Sequence, residues 1–217
     1  MNAAIVDLVR HGACEGPACL RGHTDVSLSA AGQAQMDSTL GVLPRPQALF
    51  SSPLMRCHVP AQRWAEYWDM PLDHVAALAE MNFGDWDGVP LPDLHARAPE
   101  ALAAFWARPA AAPPPGAEGL AAFEARVMAG WQACLSSDRD CSHRVIITHA
   151  GVIKALMATL LQLGHTDGCY VHALDIPYAG LVRLRLDWLE GRTDPLVRLL
   201  HLGIVQGAMP LPTDIVA

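Results

Sequence analysis

Two arginines and two histidines each stand shortly after an apolar run of this sequence: Arg10, His11, Arg56 and His149. The planar fork of an arginine matches the oxygens of a phosphoryl group, over which the transition state of phosphoryl transfer spreads negative charge. A neutral imidazole can attack phosphorus and so divide the transfer into two easier steps. If these four side chains meet in the fold, they form a metal-independent site for a phosphomonoester.

We assign the reaction itself to His11 and Glu80. His11 lies between Arg10 and Gly12 and is the candidate nucleophile, provided that a hydrogen bond, expected to a backbone carbonyl, orients its other ring nitrogen. A single carboxyl group can protonate the leaving oxygen and later accept a proton from the attacking water. Glu80 is the candidate for this part, and Asp85 is the next one.

The candidate phosphate-binding residues are Arg10, Arg56 and His149, and His149 also counts among the candidate catalytic residues. Arg56 is expected in the first turn of a helix. Gly151 lets another helix begin close to the ligand, where its N–H groups and the positive end of its dipole would attract an anion. Arg21 is either a surface charge or a contact to the far side of the substrate, and the sequence leaves both open.

The elements that must position these residues alternate between strand and helix. The short apolar runs predict strands at Ile5 to Val9, Ala48 to Phe50 and Val145 to Ile147. Helical stretches are predicted at about Ala30 to Leu43, Leu54 to Tyr67, Leu120 to Leu135 and Val152 to Leu163. This order predicts an α/β fold, a three-layer sandwich with a mostly parallel central sheet and helices on both faces. The candidate residues would meet at the carboxyl ends of the strands, where such sheets bind ligands.

Two further features complete the predicted architecture. Leu181 to Asp187 and Leu196 to Leu202 are β-prone segments separated by turn residues, which predicts an antiparallel hairpin at one edge of the sheet. Ala110 to Gly116 contains three consecutive prolines, but the segments on either side are too short to build two cores. We therefore interpret it as a stiff loop within a lid-like insertion at about residues 81–119, in one domain covering residues 1–217.

The composition limits the partners and the compartment. A net charge of -7 and a pI near 5.7 argue against nucleic acid or an anionic membrane as the partner, because a basic face supplies most of that binding. We found neither an apolar run long enough to span a bilayer nor a secretory signal, so we expect a cytoplasmic protein that binds a small-molecule phosphomonoester. The six cysteines lack the paired spacing of zinc sites, and we expect free thiols, no metal and no cofactor: Cys14, Cys19, Cys57, Cys134, Cys141 and Cys169. The sequence does not indicate an oligomeric state.

Proteins of other classes remain open at this stage. Cys57 and Arg63 have the spacing used by cysteine-dependent phosphatases, but Pro60 lacks one of the backbone N–H groups with which such a loop would cradle phosphate. A metal-dependent phosphoesterase would need several carboxylates beside His11 and His149, and none flanks them closely. A non-catalytic module that binds a phosphorylated ligand is a further alternative.

Three motifs resemble the histidine phosphatase superfamily, which includes phosphoglycerate mutase-like proteins. They are Leu8-Val9-Arg10-His11-Gly12, Ser51-Ser52-Pro53-Leu54-Met55-Arg56 and Thr148-His149-Ala150-Gly151-Val152. Together with Glu80 they follow the order of that family. The resemblance implies His11 as nucleophile, Glu80 as proton donor, and a phosphate clamp formed by Arg10, Arg56 and His149. An enzyme of the phosphoglycerate mutase type is the alternative within the family.

Shorter patterns resemble the branch of the α-ribazole phosphatases, which act in adenosylcobalamin biosynthesis. They cover Arg21 to Ser29, Phe83 to Gly88 and Pro115 to Gly119, and broad-specificity phosphatases share them. The resemblance implies hydrolysis of α-ribazole 5′-phosphate, and Phe105 and Trp106 could cover the flat base. At five positions expected to contact the phosphate or to surround those contacts, the sequence differs from the residues that are usual in the family: Ala13, Cys14, Pro17, Pro60 and Ala150.

Overall fold

A six-stranded sheet forms the centre of the computed structural model, which describes residues 2–136, 141–163, 168, 170–192 and 194–215. The strands are β1 Asn2–Arg10, β2 Ala48–Ser51, β3 Asp73–His74, β4 His143–Thr148, β5 Leu181–Trp188 and β6 Leu196–Gly203. They lie in the order β3-β2-β4-β1-β5-β6. The first four in this order pair in parallel, and β5 and β6 are antiparallel to their neighbours. The mostly parallel sheet and the antiparallel edge hairpin are therefore confirmed.

The helices include all four that the sequence predicts, with shifted ends. They are α1 Ala30–Leu40, α2 Met55–Trp68, α3 Leu91–Arg97, α4 Pro99–Ala107, α5 Leu120–Ser136, α6 Ala150–Leu160 and α7 Tyr170–Ala173. α1 ends three residues before its predicted end because Gly41, a poor helix former, follows it and donates its N–H to the carbonyl of Asp37 at 3.0 Å. The sequence did not predict α3, α4, α7 or the short strand β3.

Apolar side chains of the sheet pack into helices on both of its faces. On β1, Val6 and Leu8 belong to the core formed with α5 and α6, whereas Val9 belongs to the core formed with α1 and α2. β4 divides in the same way, with Ile146 on one face and Ile147 on the other. This alternation follows from the two-residue period of a strand, and it confirms the three-layer sandwich.

The segment at about residues 81–119, for which the sequence predicts a lid-like insertion, contains α3 and α4 and packs around a small apolar cluster. The buried members of this cluster are Leu20, Trp86, Leu94, Leu102 and Phe105. Because Leu20 comes from the loop after β1, the cluster joins the insertion to the segment that follows the candidate nucleophile. The backbone N–H of Asp85 donates to the carbonyl of Pro115 at 2.9 Å and ties the two ends of the insertion together.

Two further expectations concern membranes and cysteines. Within the described ranges, no helix combines the length and the apolar character that a membrane span requires. Cys14, Cys19 and Cys57 carry free thiols, as expected. Cys169 lies outside the described residues.

Candidate active site

The carboxyl ends of three neighbouring strands bring the candidate residues together. β1 ends at Arg10, β4 ends directly before His149, and Arg56 is the second residue of the helix after β2. A cavity of about 270 Å³ opens at this end of the sheet, and its lining includes Arg10, His11, Arg21 and Glu80. Arg56 and His149 are completely buried and do not line this cavity, although the rings of His149 and His11 lie only 5.3 Å apart.

His11 has the orientation that a nucleophilic imidazole needs. Its Nδ1–H donates to the carbonyl oxygen of Gly12 at 2.8 Å, as expected, and this leaves the lone pair on Nε2. Burial, followed by the positive charges of Arg56 and Arg10, lowers the pKa of His11 to about 3. The ring is therefore neutral near pH 7. The Sγ of Cys14 lies 3.6 Å from Nδ1, at one of the positions where the sequence departs from the family.

Three arginines of the candidate site each have a buried N–H donor without a partner among the described residues. The Nε–H groups of Arg10, Arg21 and Arg56 are buried and have no hydrogen-bond partner within the described part of the chain. Buried polar groups are nearly always paired, so these donors are suited to the oxygens of an anion. Arg10 is held by the carbonyl of Ile176 at 2.6 Å and by the ring of Tyr178, which lies 4.0 Å from its guanidinium carbon.

Arg21 is held by backbone carbonyls of its own loop. Its Nη2 donates to the carbonyls of Glu15 at 3.1 Å and of Pro17 at 2.9 Å. Pro17 stands where several family members have an asparagine, and here it contributes through its main chain. The structure therefore brings Arg21 to the cavity.

His149 lies behind His11 and contacts Ser52, the residue that follows β2. Its Nε2 is 2.7 Å from the Oγ of Ser52. Burial is the main cause that lowers the pKa of His149 well below its ordinary value, and the charge of Arg56 contributes in the same direction. A neutral His149 can donate a single N–H, and the Ser52 hydroxyl can pair with Nε2 either as donor or as acceptor.

Glu80 reaches the first turn of α6. Its carboxylate accepts the backbone N–H groups of Gly151 and Met81, both at 3.0 Å. A Cβ at position 151 would collide with this carboxylate, so only glycine allows the approach. Asp85, the second candidate acid, is exposed and does not line the cavity.

The main chain around Glu80 is fixed by an ion pair. Arg126 of α5 binds both carboxylate oxygens of Glu118, at 2.9 and 2.7 Å. Its Nη1 donates to the carbonyls of Ala77 and Ala79, both at 2.9 Å, and His23 donates to the carbonyl of Glu80 at 3.0 Å. These contacts set the direction in which the Glu80 side chain leaves the main chain.

Aromatic and apolar residues form the other side of the cavity. They include Leu20, Phe83, Phe105, Trp106, Leu120, Phe123, Tyr170 and Val171. The ring of Trp106 lies 5.4 Å from that of His172, so α4 and α7 meet there. Lys154 of α6 also lines the cavity, and its Nζ donates to the carbonyl of Val171 at 2.6 Å. Burial, and then the charge of Arg10, lowers the pKa of Lys154.

The structure also tests the alternative sites. Cys57 and Arg63 both belong to α2, so their segment does not form a phosphate-binding loop. Cys57 is completely buried, and burial raises the pKa of its thiol. Among the described residues, no group of three or more histidine, cysteine, aspartate or glutamate side chains is placed to hold a metal ion.

Several contributors to the site did not emerge from the sequence. Ser52 and Glu118 lie within the motifs quoted above, but His149, the partner of Ser52, is distant in the chain, and Arg126, the partner of Glu118, belongs to no motif. Tyr178 and Lys154 belong to no motif. Their only sequence signal is residue type, and an isolated tyrosine or lysine is usually a surface residue.

Comparison with known proteins supports the chemistry that this geometry suggests. The family described as "Histidine phosphatase superfamily (branch 1)" matches residues 6–193. An adenosylcobalamin/alpha-ribazole phosphatase of Salmonella typhimurium is 33% identical over 161 residues, which cover 72% of this chain and 79% of that protein. A glucosyl-3-phosphoglycerate phosphatase of Mycobacterium tuberculosis is 29% identical over 174 residues, covering 75% and 78%.

A solved structure extends the comparison to the fold. It is the complex of mycobacterial glucosyl-3-phosphoglycerate phosphatase with inorganic phosphate, 25% identical to this chain. It matches with a TM-score of 0.77 and covers 92% of this chain and 97% of its own. The family match spans most of the sequence, and the similar proteins are phosphatases. This chain therefore belongs to the histidine phosphatase superfamily and is a phosphatase.

Proposed function

We propose that this phosphatase hydrolyses α-ribazole 5′-phosphate to α-ribazole and inorganic phosphate, a step of adenosylcobalamin biosynthesis. The observation that carries the proposal is that one cavity combines His11 and Arg10 with the aromatic side chains of Phe105, Trp106 and Phe123. A nucleoside phosphate with an apolar base needs both kinds of side chain, because cationic donors bind its phosphate and flat apolar side chains contact its base. The name of the Salmonella relative supports this choice.

The first half of the reaction would form a phosphohistidine. Nε2 of His11 attacks phosphorus while the P–O bond to the ribose breaks, and Glu80 gives its proton to the departing oxygen. Arg10, Arg56 and His149 would donate to the equatorial oxygens, where negative charge accumulates. The orphaned Nε–H groups of Arg10 and Arg56 support this assignment. The phosphate complex of the mycobacterial relative supports phosphate as a ligand of this fold.

The second half would return the enzyme to its starting state. Glu80, now ionised, takes a proton from a water molecule that attacks phosphorus opposite His11. The P–N bond then breaks, the imidazole recovers its lone pair, and inorganic phosphate leaves. The contacts of Glu80 with the N–H groups of Met81 and Gly151 keep the carboxylate in place for both proton transfers.

Lys154 favours a second candidate function. Lys154 lines the same cavity as the aromatic side chains. Its charge could bind a carboxylate of the leaving group, which phosphoglycerates carry and α-ribazole lacks. Hydrolysis of glucosyl-3-phosphoglycerate, named for the mycobacterial relative, would use such a contact. A broad-specificity phosphatase would depend neither on a carboxylate contact with Lys154 nor on the aromatic side chains of Phe105, Trp106 and Phe123.

Measurement of kcat/KM on α-ribazole 5′-phosphate, ribose 5-phosphate, glucosyl-3-phosphoglycerate and p-nitrophenyl phosphate distinguishes these functions, since specificity is a ratio of these values. We expect a preference for α-ribazole 5′-phosphate over ribose 5-phosphate of about a hundredfold, the upper range for an apolar contact. Trp106→Ala should reduce this preference, whereas Tyr67→Ala, which removes an exposed ring from α2, should not. A preference for glucosyl-3-phosphoglycerate that Lys154→Met abolishes would establish the second function. Values within a fewfold for all substrates would leave a general phosphatase.

A further inference from the structure

The carboxylate of Asp87, which lies in the predicted insertion, accepts hydrogen bonds from the loop that follows β1. The backbone N–H groups of Gly22, His23 and Thr24 donate to it at 3.2, 2.6 and 2.9 Å, and the hydroxyl of Thr24 donates at 2.6 Å. The N–H of Phe83 adds a longer contact at 3.4 Å. Three successive N–H groups directed at one anion define the conformation of residues 21–24, which we call the clamp loop.

Arg56 contacts the other side of the clamp loop. Nη1 of Arg56 donates to the carbonyl of Thr24 at 3.1 Å, and Nη2 of Arg56 donates to the carbonyls of Arg21 and Gly22 at 3.1 and 2.7 Å. The loop therefore lies between a carboxylate that receives its N–H groups and a guanidinium that donates to its carbonyls. Arg56 has no carboxylate partner within the described ranges, so these carbonyl dipoles hold its buried charge.

The same loop contacts the remaining parts of the site. Arg21 extends from it into the cavity. The side chain of His23 donates to the main-chain carbonyl of Glu80 at 3.0 Å. A shift of the clamp loop would thus affect Arg21, Arg56 and the main chain of the candidate acid together.

Ionised Asp87 is the form that this arrangement requires. Partial burial raises the pKa of Asp87, but hydrogen bonds from Thr24 and then His23 outweigh it and hold the pKa below its ordinary value. A carboxylate offers acceptors only, which matches a ring of donors. An asparagine of the same size would direct an NH₂ group at some of those donors and would remove the charge.

We propose that Asp87 is a positioning residue that holds the clamp loop and thereby aims Arg56 and Arg21 at the phosphoryl group. This role rests on the proposed function in that Arg56 binds phosphate there, and it adds Arg21, whose buried Nε–H also has no partner within the described ranges. It couples the predicted insertion, whose Phe105 and Trp106 line the cavity, to the arginines at the phosphate end of the same cavity.

Asp87→Asn in the full chain tests the role, with binding of orthovanadate and turnover of p-nitrophenyl phosphate as readouts. We expect both the vanadate affinity and kcat/KM to fall about ten- to a hundredfold, the range for loss of a group that orients a binding residue. Asp93→Asn is the matched control, because it removes the same charge from an exposed position in the same insertion. It should change neither value more than about twofold, as is usual for a surface substitution.

Thr24 provides a second test if Asp87→Asn does not fold. Thr24→Ser keeps the hydroxyl that donates to Asp87 and should retain the vanadate affinity, whereas Thr24→Val removes the donor and should weaken binding severalfold. Wild-type vanadate affinity in a folded Asp87→Asn would overturn the positioning role, and so would wild-type affinity in Thr24→Val if Asp87→Asn does not fold. Equal losses in Thr24→Ser and Thr24→Val would also overturn it. A wild-type chain that neither binds vanadate nor turns over substrate would instead refute the proposed function.

Discussion

The environment of His11 keeps the ring neutral while surrounding it with cations. Burial makes the largest contribution, and the charges of Arg56 and Arg10 act in the same direction. The same guanidinium charges would attract the phosphoryl group that a neutral imidazole attacks. The site thus uses one set of charges to prepare the nucleophile and to bind its target.

His11→Ala should abolish both turnover and acid-labile phosphate labelling, because it removes the Nε2 lone pair that takes the phosphoryl in the proposed mechanism. The measurement is the amount of labelled phosphate retained after rapid quenching in base, where phosphohistidine survives. His95→Ala is a suitable control, since it changes an exposed histidine of α3. Labelling that persists in His11→Ala would assign the intermediate to another residue.

Glu80→Gln should slow hydrolysis of an alkyl phosphate far more than that of p-nitrophenyl phosphate. The alkoxide leaving group needs a proton, whereas p-nitrophenolate leaves almost without one. The glutamine keeps the size of the side chain and can still accept one of the N–H groups of Met81 and Gly151 through its amide oxygen, whereas its NH₂ group replaces the acceptor for the other. Equal slowing on both substrates would mean that Glu80 is not the acid.

At the scale of elements, a buried ionic cluster joins three strands of the sheet. Asp7 of β1 binds Arg183 of β5 through two hydrogen bonds, at 2.8 and 2.7 Å, and its second oxygen lies 2.9 Å from Nε2 of His143 in β4. All three side chains are almost completely buried. The cluster fixes the register of β1 between its two neighbours.

Asp7→Asn should lower the free energy of unfolding by about 3 to 5 kcal/mol, because it leaves the buried charge of Arg183 without its partner. Urea unfolding at pH 7 measures this change. Glu66→Gln, an exposed substitution on α2, should stay within about 0.5 kcal/mol of the wild type. A loss below about 1 kcal/mol in Asp7→Asn would show that water or a local shift compensates the charge.

The convergence of Arg10, Arg56 and His149 could be predicted from the sequence, because each follows a strand with a clear local pattern and parallel strands share one carboxyl end. Asp87 could not, since its role depends on contacts with residues 22–24, which no local pattern connects to it. The helices α3 and α4 were missed for a related reason. They are short and are stabilised by the apolar cluster of the insertion rather than by a strong helical pattern.

At the scale of the whole molecule, the two active-site histidines link stability to pH. His11 has a pKa of about 3 in the folded protein and about 6.5 when unfolded, so only the unfolded chain binds its proton as the pH falls through 6.5. The stability that comes from neutral His11 is therefore complete above pH 6.5 and is lost progressively toward pH 3. His149 acts in the same direction.

The free energy of unfolding should accordingly fall between pH 7 and pH 5, with His11 alone contributing about 2 kcal/mol of the loss. Urea titrations at the two pH values measure it. In His11→Asn the difference between pH 7 and pH 5 should be smaller by about that amount. An unchanged difference in this variant would show that His11 titrates normally in the folded protein.

The central position of β1 in the sheet also delays its pairing during synthesis of the protein. β1 leaves the ribosome before the other strands, yet it pairs only with β4 and β5, whose partner residues begin at His143 and extend to Trp188. At about 5 to 20 residues per second, roughly 7 to 30 seconds pass before the first of these partners has been made. During that interval Val6 and Leu8, which the folded protein buries completely, have no native neighbour in the sheet. The nascent chain thus displays an apolar segment of the kind that chaperones bind until β4 has been synthesised.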